Sequence, residues 1–273
     1  MSLQTYLPQA PLSDYVHLLW YWKDYHPPHP RERILPGGMM EIVINLTAEP
    51  FQITYPQAGT QTQRISGAMA AGARSQHFLI DTTRPATLLA VWFKPGGALP
   101  FFGVPAADLH NLHLPLETLW GTAAKDLYEQ LLEAPSPAAC FRILEGALLR
   151  RLLAGAERHR AVEYALALLR RQPQPQRIAA IVDEIALSPT RFIQLFRDDV
   201  GFAPKLFCRI QRFQQALRLA AHDPTRSWAD VALTCGYYDQ SHFINDFQAF
   251  AGIPPGAYVP QSRDHPSNLP VFD

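Results

Sequence analysis

The stretch SWADVALTCGYYDQSHFINDFQAFAG, residues 227–252, decides how the chain is read. Ser227 is a good helix N-cap, Val231 and Ala232 carry a short helix to Cys235, and Gly236 supplies the backbone freedom that a sharp turn needs. Asp239 then caps a second helix. Phe243, Phe247 and Phe250 recur at i, i+4 and i+7 and so face inward, while small Ala232 lets the second helix cross closely over the first. Gln240, Ser241, Ile244, Asn245 and Gln248 are left outside. A face that met only water would more often carry Lys and Glu. Amides and a hydroxyl instead donate to and accept from base edges, and an isoleucine can meet a thymine methyl.

A similar unit precedes it. In RIAAIVDEIALSPTRFIQLFRDDVG, residues 177–201, Ile178, Ile181, Val182 and Ile185 form one apolar stripe. Ser188 caps and Pro189 opens a second helix whose inward residues are Phe192, Leu195 and Phe196, ending at Gly201. Each unit is a helix-turn-helix. One such hairpin is common and binds nothing in most proteins; two in tandem point to nucleic acid. Between them, residues 203–223 (APKLFCRIQRFQQALRLAAHD) predict one helix from Pro204 to near His222, about 28 Å long at 1.5 Å per residue. Successive major-groove faces lie about 34 Å apart, so a rod of this length can hold both reading helices on one side of a duplex.

The first part of the chain has another texture. Short β-branched and aromatic runs, YVHLLWYW (15–22), MMEIVINL (39–46), FQITY (51–55), HFLI (77–80) and TLLAVWF (87–93), read as strands separated by Pro/Gly turns. From Leu116 the period becomes helical, with Leu127, Leu131 and Leu132, then Phe141, Leu144, Leu148, Leu149 and Leu152. Another amphipathic helix spans Arg160 to Arg171 and is stopped by Gln172-Pro173-Gln174-Pro175. The expected architecture is α+β: a cupin-like small β-barrel over 1–115, a helical connector over 116–157 that offers dimerisation helices, an all-α domain of two helix-turn-helix units joined by a linker helix over 158–263, and a tail over 264–273.

Composition narrows the function. Residues 158–263 hold thirteen Lys+Arg against nine Asp+Glu, net +4, while residues 1–157 hold eleven against thirteen, net −2. The basic half suits an anionic partner. Cys140, Cys208 and Cys235 lie far apart with no C-x-x-C pair, so neither a disulfide framework nor a cysteine zinc site is expected. No apolar run suits a membrane span and no signal peptide starts the chain, so a cytoplasmic protein is expected.

The motifs Ala186-Leu187-Ser188-Pro189…Phe192…Leu195-Phe196…Gly201-Phe202…Pro204, Arg212-x-x-x-Ala216, and Val231-Ala232…Cys235-Gly236-Tyr237…Asp239-Gln240-Ser241-His242-Phe243…Phe247…Gly252-Ile253-Pro254-Pro255…Tyr258 resemble the AraC/XylS family of bacterial transcription regulators over about 100 residues. The resemblance implies base contacts from Thr190, Ile193 and Gln194 in the first unit and Gln240, Ser241, Ile244 and Asn245 in the second. It makes Arg191 and Arg197 candidates for phosphate contacts, and the linker arginines Arg209 and Arg212 join them as positive charge along the rod. It departs where the family usually places cations: Phe196 is followed by Arg197-Asp198-Asp199, Phe247 by Gln248-Ala249, and Asp246 sits in the second reading helix, which lowers expected affinity and salt dependence.

ILPGGMMEIVINL (34–46) and WFKPGGALPFFGVPAADL (92–109) are similar to the cupin-like sensor found ahead of such DNA-binding regions. Trp20, Trp22, Trp92 and Phe93, with Glu41, either line an effector pocket or are plain core; Arg33, Arg64 and His77 either meet an effector or pair at the surface. A metal-dependent cupin enzyme is the alternative, but no H-x-H pair occurs, His26 and His29 lie in a proline-rich turn, and His110 and His113 read as surface or capping residues. No catalytic arrangement, metal or cofactor is expected. The reading is a DNA-binding regulator, an activator, with double-stranded DNA, a small-molecule effector, a second copy of itself and RNA polymerase as partners.

Overall fold

The computed structural model describes residues 2–154, 158–171, 173, 177–260, 262 and 265–272. Its strands are β1 (Ser2–Tyr6), β2 (Val16–Tyr25), β3 (Arg31–Ile34), β4 (Glu41–Asn45), β5 (Phe51–Tyr55), β6 (Gln61–Ile65), β7 (Ala68–Ala71), β8 (Phe78–Asp81), β9 (Ala86–Phe93), β10 (His113–Pro115) and β11 (Asn268–Val271). They form two sheets, ordered β1-β2-β9-β4-β7-β10 and β11-β3-β8-β5-β6. The expected small barrel is thus a pair of sheets that do not close into one.

Period-two alternation divides the central strands of the first sheet. Glu41 pairs across Trp92 to Leu18, Val43 across Ala90 to Trp20, and Asn45 across Leu88 to Trp22, so these residues share the face turned to the second sheet. Leu19, Ile42, Ile44, Leu89, Val91 and Phe93 occupy the other face and are fully buried.

That second face is covered by helices α1 (Leu99–Phe102), α2 (Glu117–Trp120), α3 (Thr122–Leu132) and α4 (Pro137–Ala154). Phe141, Leu144 and Leu148 of α4 and Leu127 and Leu131 of α3 join the sheet in one apolar cluster. Tyr6 donates to Glu145 at 3.0 Å, Tyr128 to the Asn45 carbonyl at 3.1 Å, and the Trp120 indole to the Phe101 carbonyl at 2.8 Å. Of the segment expected as a connector over 116–157, the described helices α2, α3 and α4 form instead an outer layer on the first sheet.

Helices α5 (Arg160–Arg171), α6 (Arg177–Glu184), α7 (Pro189–Val200), α8 (Pro204–His222), α9 (Trp228–Thr234) and α10 (Gln240–Ala251) follow. The expected boundary near 155–160 and the breaker at 172–175 lie mostly outside the described residues. Residues 264–273, expected as a plain tail, instead supply β11, an edge strand that pairs antiparallel with β3, Leu269 opposite Arg33.

Candidate DNA-reading face and enclosed cavity

Local chemistry builds both helix-turn-helix units. The Ser188 hydroxyl accepts from the Arg191 N–H at 3.3 Å, the Ser227 hydroxyl from the Asp230 N–H at 3.1 Å, and the Asp239 carboxylate from the His242 N–H at 2.7 Å, each filling an orphan donor of a helix start. Phe192, Phe196, Phe243 and Phe247 are fully buried. Thr190, Arg191, Ile193, Gln194 and Arg197 are exposed on α7, and Gln240, Ser241 and Asn245 on α10, with Ile244 half-buried beside them. The Gln194 amide is held at 2.8 Å by the Asp198 carboxylate, so it must exchange that partner to meet a base.

Two of the expected phosphate contacts need correction. Arg212 is buried, its guanidinium lying 4.7 Å over the Tyr237 ring and donating to the Gly236 carbonyl at 3.3 Å. Arg209 donates twice to the Asp246 carboxylate, at 2.7 and 3.1 Å. Helix α10 packs across α8, burying Arg212 and tying the one-third exposed Arg209 to Asp246. Asp246 is correspondingly 4% exposed, so it does not present a negative charge to DNA as expected.

The two-sheet half meets the helical half at several places. Gln214 of α8 donates to the Pro36 carbonyl at 2.8 Å, and beside it a Cβ at Gly38 would lie 3.2 Å from the Gln211 amide and 3.3 Å from Ile210. At the end of α7, Gly201 adopts φ +97°, and a Cβ there would lie 2.6 Å from the Ala73 Cβ. At the end of α10, the His77 ring packs on Gly252 with Nδ1 3.3 Å from the Phe250 carbonyl. Burial and the charges of Arg33 and Arg74 push the His77 pKa down to about 4. His77, considered for an effector contact, is an interdomain residue. His113, expected at the surface, is buried, with Nδ1 2.7 Å from the Tyr55 hydroxyl.

Between the two sheets lies a cavity of about 290 Å³. Trp20, Trp22, Trp92 and Glu41 line it, whereas Phe93 is packed on the opposite face of β9. Alternation explains the correction: if Trp92 points into the cavity, its neighbour cannot. Sequence reasoning missed Glu32, which sits in the second wall and accepts from the Tyr25 hydroxyl, from His29 Nε2 at 2.9 Å and from the Asn268 amide at 3.3 Å. A lone Glu in RERI carried no signal of burial. His265 and Asn268 also line the cavity, so the end of the chain forms part of its wall. Among the described residues no group of three or more His, Cys, Asp or Glu is placed to hold a metal ion, and no helix is long and apolar enough to cross a membrane.

Two helix-turn-helix units on one helical rod follow a two-sheet domain with an internal cavity. Residues 181–261 match the family described as a helix-turn-helix domain, and residues 4–115 match a domain of unknown function, DUF6597. The region whose motifs resemble the AraC family is thus the one that matches the helix-turn-helix domain. No curated protein matches. Among solved structures, an apo form of a lysine-to-alanine variant of ToxT from Vibrio cholerae is 12% identical, with a TM-score of 0.50 over 88% of this chain and 96% of that one. Wild-type ToxT from the same organism with unsaturated fatty acid bound is 11% identical, TM-score 0.49, over 88% and 92%. A DNA-binding transcriptional dual regulator from Escherichia coli K-12 is 24% identical, TM-score 0.31, over 36% and 93%.

Proposed function

We propose that this chain is a sequence-specific DNA-binding transcription regulator, an activator, that reads two successive major-groove segments and takes a small-molecule effector between its sheets. The observation that carries the reading is the outward polar face of α10, with Gln240, Ser241 and Asn245 exposed beside half-buried Ile244, repeated on α7 as Thr190, Ile193 and Gln194. These seven residues contact bases; Arg191 and Arg197, both exposed, contact phosphates. RNA polymerase and a second copy of the chain are the protein partners.

The effector acts through the end of the chain. His265 and Asn268 line the cavity and follow the second unit, where the Tyr258 hydroxyl donates to the Pro266 carbonyl at 2.7 Å and Ser267 to Gln214 of the rod at 3.1 Å. A ligand that shifts β11 therefore pulls on both α8 and the segment after α10.

The test begins with a footprint on DNA upstream of the protein's own gene, followed by titration of Gln240→Ala and Asn245→Ala on the protected site and on random DNA. Each variant should lose about 1 to 3 kcal/mol on the site and little on random DNA. Equal losses on both would reject the base-contact assignment.

A further inference from the structure

The cavity between the sheets has a chemistry of its own. Along β2, β4 and β9 the residues Leu19, Ile42, Ile44, Leu89, Val91 and Phe93 on the helix-covered face are fully buried, whereas Trp20, Trp22, Trp92 and Glu41 on the opposite face keep accessible area although they lie between the sheets. Their free surface is the wall of an unfilled space. Trp20 meets Trp22 at 6.4 Å and 87°, and Trp92 at 6.2 Å and 70°. Rings set nearly at right angles form a concave box that presents faces as well as edges, and an indole face attracts a cation more strongly than any other side-chain ring.

Carboxylates stand beside that box. Glu41 Oε2 accepts from the Trp92 indole N–H at 2.9 Å, which fixes the carboxylate against the ring. Burial raises the Glu41 pKa, opposed by that hydrogen bond and by Arg74, so a positive charge in the cavity would relieve the cost of keeping Glu41 ionised. Glu32 lies in the facing wall, and Glu49 and Asp81, both exposed, stand at the mouth. Against these four carboxylates the lining, among the described residues, holds a single guanidinium, Arg84, at the exposed mouth and paired with Glu49 at 3.2 Å. Arg74 lies outside the lining, 4.7 Å over the Phe78 ring and bonded to the Asn111 carbonyl at 3.0 Å. An incoming carboxylate would meet buried Glu32 and half-buried Glu41, and no available guanidinium or ammonium in the described lining. The Trp20 indole N–H, buried without a partner, remains to donate to a neutral acceptor.

We propose that the effector of this cavity is an organic cation, a protonated amine or quaternary ammonium on a compact apolar body, held in the Trp20–Trp22–Trp92 box with Glu41 as its counter-ion. This rests on the reading of the domain as a sensor and names the class of molecule sensed. The cation stacks on indole faces, the apolar body fills the space beside Val43 and Phe78, and the carboxylates draw positive solutes to the mouth.

The test uses the full chain and three phenyl-bearing probes of similar size: benzyltrimethylammonium, its neutral carbon isostere neopentylbenzene, and the anion 3-phenylpropionate. Tryptophan fluorescence and thermal shift are followed for each. Benzyltrimethylammonium should saturate and bind about tenfold or more tighter than the other two. Glu41→Gln, which keeps an acceptor for Trp92, should abolish that preference while leaving neopentylbenzene affinity and the circular dichroism spectrum unchanged. Equal or tighter binding of the neutral or anionic probe to the wild-type chain overturns the proposal without needing any variant, as does a Glu41→Gln protein that folds and keeps its preference. DNA binding is measured on the same preparation: its loss with cation preference intact indicts the regulator reading, and the reverse indicts only the ligand class.

Discussion

The first helix-turn-helix unit turns at Ala186 and ends at Gly201; the second turns at Gly236 and ends at Gly252. At the turn, Ala186 is held at φ +52° and Gly236 at φ +74°, a region where alanine is strained and glycine is not. At the end, the first unit is wedged with Gly201 on Ala73 and Phe202 edge-on to His110 at 5.7 Å, whereas the second has its terminal glycine directly under the His77 ring. Inside, the second unit holds the Asp246–Arg209–Arg212 ion cluster, whereas the first buries Asp199, which accepts from the His159 N–H at 3.2 Å, beside its aromatic pair, Phe192 and Phe196 at 5.7 Å. Two units written by the same local rules thus meet the two-sheet half through different contacts, the first unit's terminal glycine on Ala73 and the second's on the His77 ring.

The sharpest way to break the comparison is Asp246→Ala. It leaves the buried Arg212 and the one-third exposed Arg209 without their carboxylate, and should cost about 3 kcal/mol in urea unfolding, the low end for a broken buried pair because Arg209 can reach water. Next is Gly201→Ala, which forces a Cβ against Ala73 at positive φ; a loss of about 1 to 3 kcal/mol is expected, with faster proteolysis between the halves. A neutral result would mean that the sensor does not clamp the first unit. Ala186→Gly relieves the left-handed alanine and should stabilise by about 1 kcal/mol, bringing the first turn level with the second.

The smallest effect is that of pH. The His77 pKa is lowered in the folded chain to about 4, so the folded form binds protons less readily than the unfolded one. The contact is intact above the usual histidine value and weakens as pH falls from about 6.5 toward 4. Arg33 and Arg74 already face the ring, and protonation adds a third positive charge. Hydrogen exchange at the end of α10 should accelerate over that window before exchange at the end of α7 does, and the difference should vanish in His77→Gln.

The helices were legible because their signals are local. Pro189, Pro204, Ser227 and Asp239 mark starts where the structure has them, and α8 runs Pro204–His222 as its pattern indicates. The apolar strands β2, β4, β5, β8 and β9 were legible for the same reason. Strands β1 and β6, SLQTY and QTQRI, are polar and largely exposed, and β11 contains a proline; none carries alternation to read. Trp92 and Phe93 show the intermediate case, where alternation separates the two faces of a strand but only the sheet says which is hollow.

By itself, then, the sequence determined everything that depends on residues within a turn or two of each other: caps, stripes, the rod, and the outward polar face of each reading helix. Tertiary structure alone decided that Arg209 and Arg212 answer Asp246 instead of phosphate, that His77 sits on Gly252, and that the end of the chain closes a cavity begun at its other end. Those outcomes depend on partners far apart in the chain, whose meeting is set by the packing of the whole and leaves no periodic trace along it.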